Sequence, residues 1–105
     1  MEQLNKIELR GNVGNIRIQT VGDNEVAHFS LATNYAYKGK DGTPVIETTW
    51  HSCIAFEGGH VSGIDRIVKG TAVHLTGRIR CYRFIDVNNA ERTGNEIVVN
   101  TLEVL

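Results

Sequence analysis

The chain has no long apolar run and very little cysteine. No stretch approaches the roughly 18 apolar residues that a membrane-spanning helix requires, so we predict no contact with a membrane. The two cysteines, Cys53 and Cys81, lack the paired spacing of a disulfide framework. Because no signal-peptide pattern precedes them, we expect reduced thiols in a cytoplasmic protein.

The chain also lacks an excess of charge of either sign. Eleven Lys and Arg residues against twelve Asp and Glu residues leave a formal net charge of −1. A protein that binds nucleic acid through charge alone is usually strongly basic, so the composition argues against that class. A protein that binds by stacking is still compatible, provided that its cations are concentrated on one face.

Catalytic motifs are missing as well. The sequence has no Gly-x-Ser-x-Gly elbow, no glycine-rich phosphate loop ending in Lys-Ser/Thr and no His-Glu-x-x-His string. His51 and Cys53 form a His-x-Cys pair, but no second pair of ligands has the spacing of a metal site. We therefore predict that the protein is not an enzyme and holds no metal and no cofactor.

The chain does contain period-two alternation of apolar and polar residues, which is typical of β-strands. The predicted strands, separated by turn-forming residues, cover about residues 6–21, 26–35, 48–56, 72–84 and 92–104. We expect a bend at Gly14 in the first strand. Only residues 60–68 have apolar residues at helical spacing, and glycine weakens that helix by about 1 kcal/mol per residue relative to alanine.

Five strands with one short helix between the third and the fourth are the connectivity of the OB-fold. This fold is a partly open Greek-key barrel whose outer face binds oligonucleotides or oligosaccharides. The predicted class is therefore all-β, with residues 1–105 forming a single domain. A β-sandwich is the main alternative, but it usually needs about seven strands.

Aromatic residues with polar or basic neighbours are the strongest functional signal. Tyr37 runs into a Lys-Gly-Lys loop, and Trp50 precedes His51. Phe84 ends a run in which arginine and aromatic residues interleave. The bases of an unpaired strand stack on aromatic rings at about 1–3 kcal/mol each, while cations hold the phosphates. The pattern therefore predicts binding of single-stranded nucleic acid.

Several strings of the sequence, taken in order, resemble the bacterial single-stranded DNA-binding proteins. The matching strings are Asn5–Gly14, Phe29–Asn34, Thr49–His51 with Phe56, Lys69–Gly77 and Glu96–Asn100. They correspond to the family's first three strands, to its helix exit with the fourth strand, and to its fifth strand. The resemblance covers essentially the whole chain, and the ordered set is far more specific than any one string.

The resemblance implies a base-stacking aromatic residue at four positions. The aromatic after the second strand falls on Tyr37, and the third-strand tryptophan falls on Trp50. The phenylalanine six residues later falls on Phe56, and the aromatic in the loop between the last two strands falls on Phe84. All four positions are occupied by aromatic residues in this chain.

The resemblance also implies phosphate contacts and a subunit contact. The candidates for phosphate contacts are Lys6, Arg10, Lys38, Lys40, Arg78, Arg80 and Arg83. The expected assembly is a homotetramer, with a dimer as the alternative, and the expected contact involves Ile7, Leu9 and His51. An exposed edge of the first strand would provide backbone groups that need a partner.

Simpler explanations stay open for several of these residues. Large aromatic residues usually contribute to the core, so Trp50 and Phe56 are also candidates for core positions. Arg78 and Arg80 are also compatible with the solvated face of an amphipathic strand. Phe29 is predicted to be a core residue.

Three functions remain as hypotheses. The first is sequence-independent binding and protection of single-stranded DNA in replication, recombination and repair, in the bacterial cytoplasm and in association with the nucleoid. The second is a primosomal-type accessory protein of replication restart, which is tailless and mainly contacts other proteins. The third is an OB module that binds oligosaccharide or serves only as a structural subunit.

One departure from the family concerns the end of the sequence. Family members usually continue into a glycine-rich linker and an acidic tail that recruits replication and repair enzymes. This sequence stops at Leu105, directly after the last predicted strand. The expectation is therefore either a truncated piece or a tailless paralogue, and recruitment of replication proteins is doubtful.

Overall fold

The computed structural model describes residues 2–58, 61 and 63–105 and is built almost entirely from β-strands. The strands are β1 (Ile7–Val21), β2 (Asn24–Lys38), β3 (Pro44–Phe56), β4 (Ala72–Ile85) and β5 (Glu91–Val104). They form a closed barrel in the order β1-β2-β3-β5-β4. The prediction of an all-β OB-fold is confirmed. The barrel is closed rather than partly open, because β3 and β5 pair in parallel at two positions.

Alternation along each strand separates the core from the outer surface. The interior row of β2 contains Ala27, Phe29 and Leu31, which are nearly inaccessible to solvent. The corresponding row of β3 contains Cys53 and Ala55. Phe29 is 4% exposed, so its predicted core position is confirmed.

The predicted bend in the first strand is present. The register between β1 and β2 shifts between Val13 and Ile16. At this irregularity the backbone N–H of Asn15 donates to Oγ of Ser30, with 3.0 Å between nitrogen and oxygen. The side chain of Ser30 thus provides an acceptor at a point where the backbone ladder is interrupted.

The predicted helix is only a 3₁₀ turn, Ile64–Arg66. It begins after Gly63, whose φ of 73° is in the left-handed region, and it ends at Ile67, which is extended. The apolar residues of the predicted helical segment still belong to the core, because Val61, Ile64 and Ile67 are buried. His60 and Ser62, which belong to the predicted helical segment, lie outside the described residues. Across the part of the chain that the structure describes, no helix has the length and apolar character needed to cross a membrane.

Two hairpins extend beyond the barrel. The β2–β3 ladder continues to the pair Lys38–Pro44, and the β4–β5 ladder continues to Ile85–Glu91. Every residue of β4 from Arg78 onward is exposed. The Cα radius of gyration is 16.1 Å, whereas a compact chain of this length has about 13 Å. The difference reflects the projecting hairpin ends.

Candidate nucleic-acid interface

Trp50 and Phe56 lie on the outer face of the barrel. They alternate with the buried Cys53 and Ala55 along β3, and this alternation directs their side chains away from the core. Trp50 is 61% exposed and Phe56 is 47% exposed. The core alternative for these two residues is therefore wrong.

The indole of Trp50 is supported by backbone. It reaches across β2 to Gly14 of β1, where a Cβ would stand 2.5 Å from Cζ3 of the ring. No side chain larger than hydrogen fits under the indole at that position. The indole therefore contacts the sheet at Gly14, while the residue stays largely exposed to solvent.

A groove runs beside Trp50 on the same part of the surface. Its volume is about 390 Å³, and its lining includes Asn15, Arg17, His28 and Ser52. Arg17 and His28 face each other across β1 and β2. Neither residue stands out in the sequence, because the one aromatic residue beside them, Phe29, is predicted to belong to the core.

Phe56 lies beside a small apolar cluster on the outer face. Val26, Ile54 and Val98 form this cluster, which is separate from the main core. Phe56 pairs directly with Val26 across β2 and β3. The cluster anchors the strands beneath Phe56, and almost half of the phenylalanine remains accessible.

Tyr37 lies near the end of the β2–β3 hairpin, on the opposite face from Trp50. It continues the row of β2 that begins with Phe29 and Leu31, but at this point the hairpin has left the barrel. Tyr37 is 45% exposed and lines a pocket of about 350 Å³ together with Lys38 and other hairpin residues. Its ring has Tyr35 as a neighbour, with centroids 6.2 Å apart.

Phe84 lies within β4, not in the loop between the last two strands. It pairs with Arg92 of β5 and is 44% exposed. Its row on β4 also contains Arg78, Arg80 and Tyr82, because alternate residues of a strand share one face. The ring centroids of Tyr82 and Phe84 are 5.9 Å apart. Tyr82 and Tyr35 were not selected from the sequence, although each lies two positions from a selected aromatic residue.

Five of the predicted phosphate-binding residues form no ion pair with a described carboxylate: Lys6, Arg10, Lys38, Lys40 and Arg78. Lys6 and Arg78 line one cavity of about 300 Å³. Asn5 fixes the start of β1 there, because its side-chain amide donates to the carbonyl of Ile79 and accepts from the N–H of the same residue. Lys38 is the last residue of β2, next to Tyr37, and Lys40 lies within the β2–β3 loop.

The other two predicted cations, Arg80 and Arg83, do form ion pairs. Arg80 forms an ion pair with Glu96 across β4 and β5, and Arg83 forms one with Glu91. These two arginines are thus partly neutralised within the hairpin. Arg10 is exposed on β1, opposite His74 of β4.

A single aspartate organises each hairpin loop. In the β4–β5 loop, Oδ1 of Asp86 accepts the backbone N–H groups of Asn88 and Ala90, and Oδ2 accepts Nε of Arg92 at 2.9 Å. The hydrogen bond from Arg92 is the main cause that holds the pKa of Asp86 below its ordinary value, and the backbone donors add to it.

The β2–β3 loop repeats this arrangement. The Thr43 hydroxyl donates to Oδ1 of Asp41 at 2.6 Å, and the Thr43 N–H donates to the same oxygen at 3.2 Å. These bonds, with the hydroxyl contributing most, lower the pKa of Asp41. Both aromatic-bearing hairpins therefore end in loops that a carboxylate holds in shape.

The residues predicted for a subunit contact lie on β1 and β3. Nε2 of His51 is 2.9 Å from Oγ1 of Thr33. Ile7 and Leu9 are partly buried and pack against the core. From Ile7 to Gly11, β1 pairs with β4, whereas its ladder with β2 begins only at Asn12. Among the described strands, this segment of β1 thus has a partner on one edge only. The subunit contact itself stays a prediction.

Comparison with known proteins places this surface in context. A family model described as the single-strand binding protein family matches residues 4–105. The chain is 28% identical to a mitochondrial single-stranded DNA-binding protein of Danio rerio, over 99% of this chain and 77% of the relative. It is 35% identical to a single-stranded DNA-binding protein of Xylella fastidiosa, over 97% of this chain and 63% of the relative.

A solved structure is similar along the whole chain. The Plasmodium falciparum SSB in complex with ssDNA superposes with a TM-score of 0.84 at 29% identity, covering 100% of this chain and 97% of that protein. The similarity therefore includes both hairpins as well as the barrel.

Proposed function

The chain belongs to the single-strand binding protein family, and we propose that it binds single-stranded DNA by stacking bases on Tyr37, Trp50, Phe56 and Phe84. Binding of single-stranded DNA is the activity of this family, and roles in replication, recombination and repair are typical of it. Stacking carries little sequence information, because every base has a π-face. The chain accordingly binds without sequence preference.

The observation that carries this proposal is the exposure of the four rings. Each is between 44% and 61% exposed, while Phe29 fills the core. Large aromatic side chains gain most of their free energy by burial, so four exposed rings on one small barrel are unusual for a purely structural protein. The same rings favour DNA binding over a primosomal role, which has less need of stacking residues.

Electrostatic contacts complement the stacking. We assign phosphate contacts to the five cations that form no ion pair with a described carboxylate, which are Lys6, Arg10, Lys38, Lys40 and Arg78. Arg80 and Arg83 are weaker candidates, because carboxylates already neutralise them in part. Because the net charge is −1, much of the affinity for DNA comes from base stacking, which is not ionic.

Tryptophan fluorescence tests the proposal directly. Trp50 is the single tryptophan of the sequence, so its emission reports one site. Titration with oligo-dT should quench this emission with saturation, whereas a maltose oligosaccharide and a duplex of equal length should leave it unchanged. Quenching by the oligosaccharide, or none by oligo-dT, would refute base stacking on this surface.

Self-association is part of the same proposal. Members of this family form oligomers, and the one-sided edge of β1 between Ile7 and Gly11 offers backbone groups to a second copy. We propose a homotetramer in which this edge and His51 contribute to the contacts. The relatives include mitochondrial as well as bacterial proteins, and we assign this chain to the bacterial cytoplasm, in association with DNA.

A further inference from the structure

Tyr82 rests on Gly94 in the way that Trp50 rests on Gly14. The two residues pair across β4 and β5, and a Cβ on residue 94 would stand 2.7 Å from Cζ of Tyr82. The phenol ring therefore has bare backbone beneath it, while the residue remains exposed. With one side of the ring against the backbone of Gly94, the other side is available to a ligand and the ring does not have to move.

Tyr82 and Phe84 together form a two-ring surface. They are two positions apart on one strand and so share a face, and the angle between their planes is 37°. Their centroids are 5.9 Å apart. A base inserted between two rings needs about 6.8 Å, which is twice the 3.4 Å rise of stacked bases. The gap is therefore too narrow for a base, and the open sides of the rings are the available faces.

The β2–β3 hairpin has the same arrangement. Tyr35 and Tyr37 are also two positions apart near the end of their hairpin, with centroids 6.2 Å apart and planes inclined by 31°. Both are exposed, Tyr35 more than Tyr37. Neither ring pair contributes to the core clusters of the barrel.

We propose that Tyr35 and Tyr82 are additional base-stacking residues, so that each hairpin offers two rings to two bases of a single DNA strand. This inference rests on the proposed function and extends its site. The charges of the β4–β5 hairpin agree with it, because Arg80 and Arg83 are paired with carboxylates. The β4–β5 hairpin therefore offers DNA its aromatic rings more readily than these two paired arginines.

Matched substitutions test the role of each ring. Tyr82→Leu and Tyr35→Leu remove the π-face but keep an apolar side chain, whereas Tyr82→Phe and Tyr35→Phe keep the ring and remove the hydroxyl. Affinity for a labelled oligo-dT is measured at fixed salt, together with thermal unfolding. Each leucine variant should bind at least about 5-fold more weakly, the lower end of what one stacked base contributes. The phenylalanine variants should bind like the parent, and melting should change little.

The unmodified protein provides a measurement that does not depend on any variant's folding. On saturation with oligo-dT, the ring protons of Tyr35 and Tyr82 should shift upfield in the NMR spectrum, because stacked bases impose ring currents on them. Unshifted rings would overturn the inference. So would leucine variants that bind like the parent, or phenylalanine variants that lose as much affinity as the leucine variants.

The proposed function fails in a different way. If Trp50→Ala weakens binding while Tyr35→Leu and Tyr82→Leu do not, only the two additional residues are rejected. If the parent itself does not bind oligo-dT, base stacking by the whole surface is rejected.

Discussion

The indole of Trp50 on β3 lies over Gly14 on β1, with β2 between them. A Cβ on residue 14 would stand 2.5 Å from the indole and 2.6 Å from Oγ of Ser30. The absence of a side chain at Gly14 thus leaves the space that the indole of Trp50 occupies. A larger residue at position 14 would displace the indole from this place on the sheet.

Replacing Trp50 by alanine should weaken DNA binding and spare the fold. Loss of one stacked base costs about 1–3 kcal/mol of binding free energy. Because Trp50 is exposed, its removal leaves no cavity in the core, and the melting temperature should change little. Fluorescence anisotropy with a labelled oligo-dT and thermal unfolding measure the two effects separately.

Phe29→Ala is the matched control. Truncation of a buried phenylalanine costs about 3–5 kcal/mol of stability, so this variant should melt much earlier. A Trp50→Ala protein that melts early, yet binds DNA like the parent while folded, would contradict the assignment.

The salt dependence of binding should depend on Arg78 but not on the Arg80–Glu96 pair. For single strands, log K changes with log salt by about −0.7 per phosphate contacted. Arg78→Gln should therefore reduce the magnitude of the slope by about 0.7. The double variant Arg80→Gln/Glu96→Gln keeps the net charge and should leave the slope nearly unchanged. A loss of all binding at a few hundred millimolar salt would indicate that ionic contacts dominate over stacking.

Acid should loosen the β4–β5 loop. The pKa of Asp86 is lowered in the folded protein by Arg92 and the backbone donors, from an ordinary value of 3.8. The ionised carboxylate therefore stabilises the folded loop above that value, and this contribution is lost as the pH falls through the lowered pKa. The amide resonances of Asn88 and Ala90 should report the transition.

Asp86→Asn provides the comparison for this effect. It keeps an acceptor oxygen but cannot titrate, so the amide shifts of Asn88 and Ala90 should lose their acidic transition. A transition of unchanged size in this variant would assign it to another group.

The two thiols should differ in reactivity. Burial raises the pKa of Cys53 to about 12, so its thiolate is scarce at pH 8, whereas Cys81 is exposed. A thiol-specific disulfide reagent should therefore titrate one group per chain in the native protein and two in denaturant. Cys81→Ser should abolish the native reaction, and persistence of that reaction would show that Cys53 is accessible.

The assembly should be larger than a monomer at micromolar concentration. The segment Ile7–Gly11 pairs on one edge only among the described strands, and such an edge favours pairing with another chain. Analytical ultracentrifugation should give a tetramer or a dimer. A monomeric parent at this concentration would refute the prediction.

The sequence predicted the barrel better than the β2–β3 hairpin. Where one face is buried, apolar and polar residues alternate, and the interior rows of the strands followed from that pattern. The predicted second strand ended near Tyr35 and the third began near Thr48, but the ladder extends to Lys38 and Pro44. Both faces of that extension meet solvent, so no burial selects alternating residues there.

The candidate site was predictable in its main residues but not in its supports. Trp50 and Phe84 stand out by their neighbours in the sequence. Gly14 and Gly94 do not, because their role depends on which ring the folded sheet places above them. The ion pairs that neutralise Arg80 and Arg83 likewise follow from cross-strand register, which a single sequence does not reveal.

The projecting hairpins divide the molecule into regions of unequal local stability. Beyond Arg78 the strand is held by its ladder and has no core beneath it, so its amide hydrogens exchange through local opening while the barrel stays closed. The hairpin ends can therefore bend and re-form around a strand at low thermodynamic cost. Ordering the hairpin ends on DNA then reduces the net binding free energy. A covalent cross-link across either hairpin should order it in advance and so tighten binding.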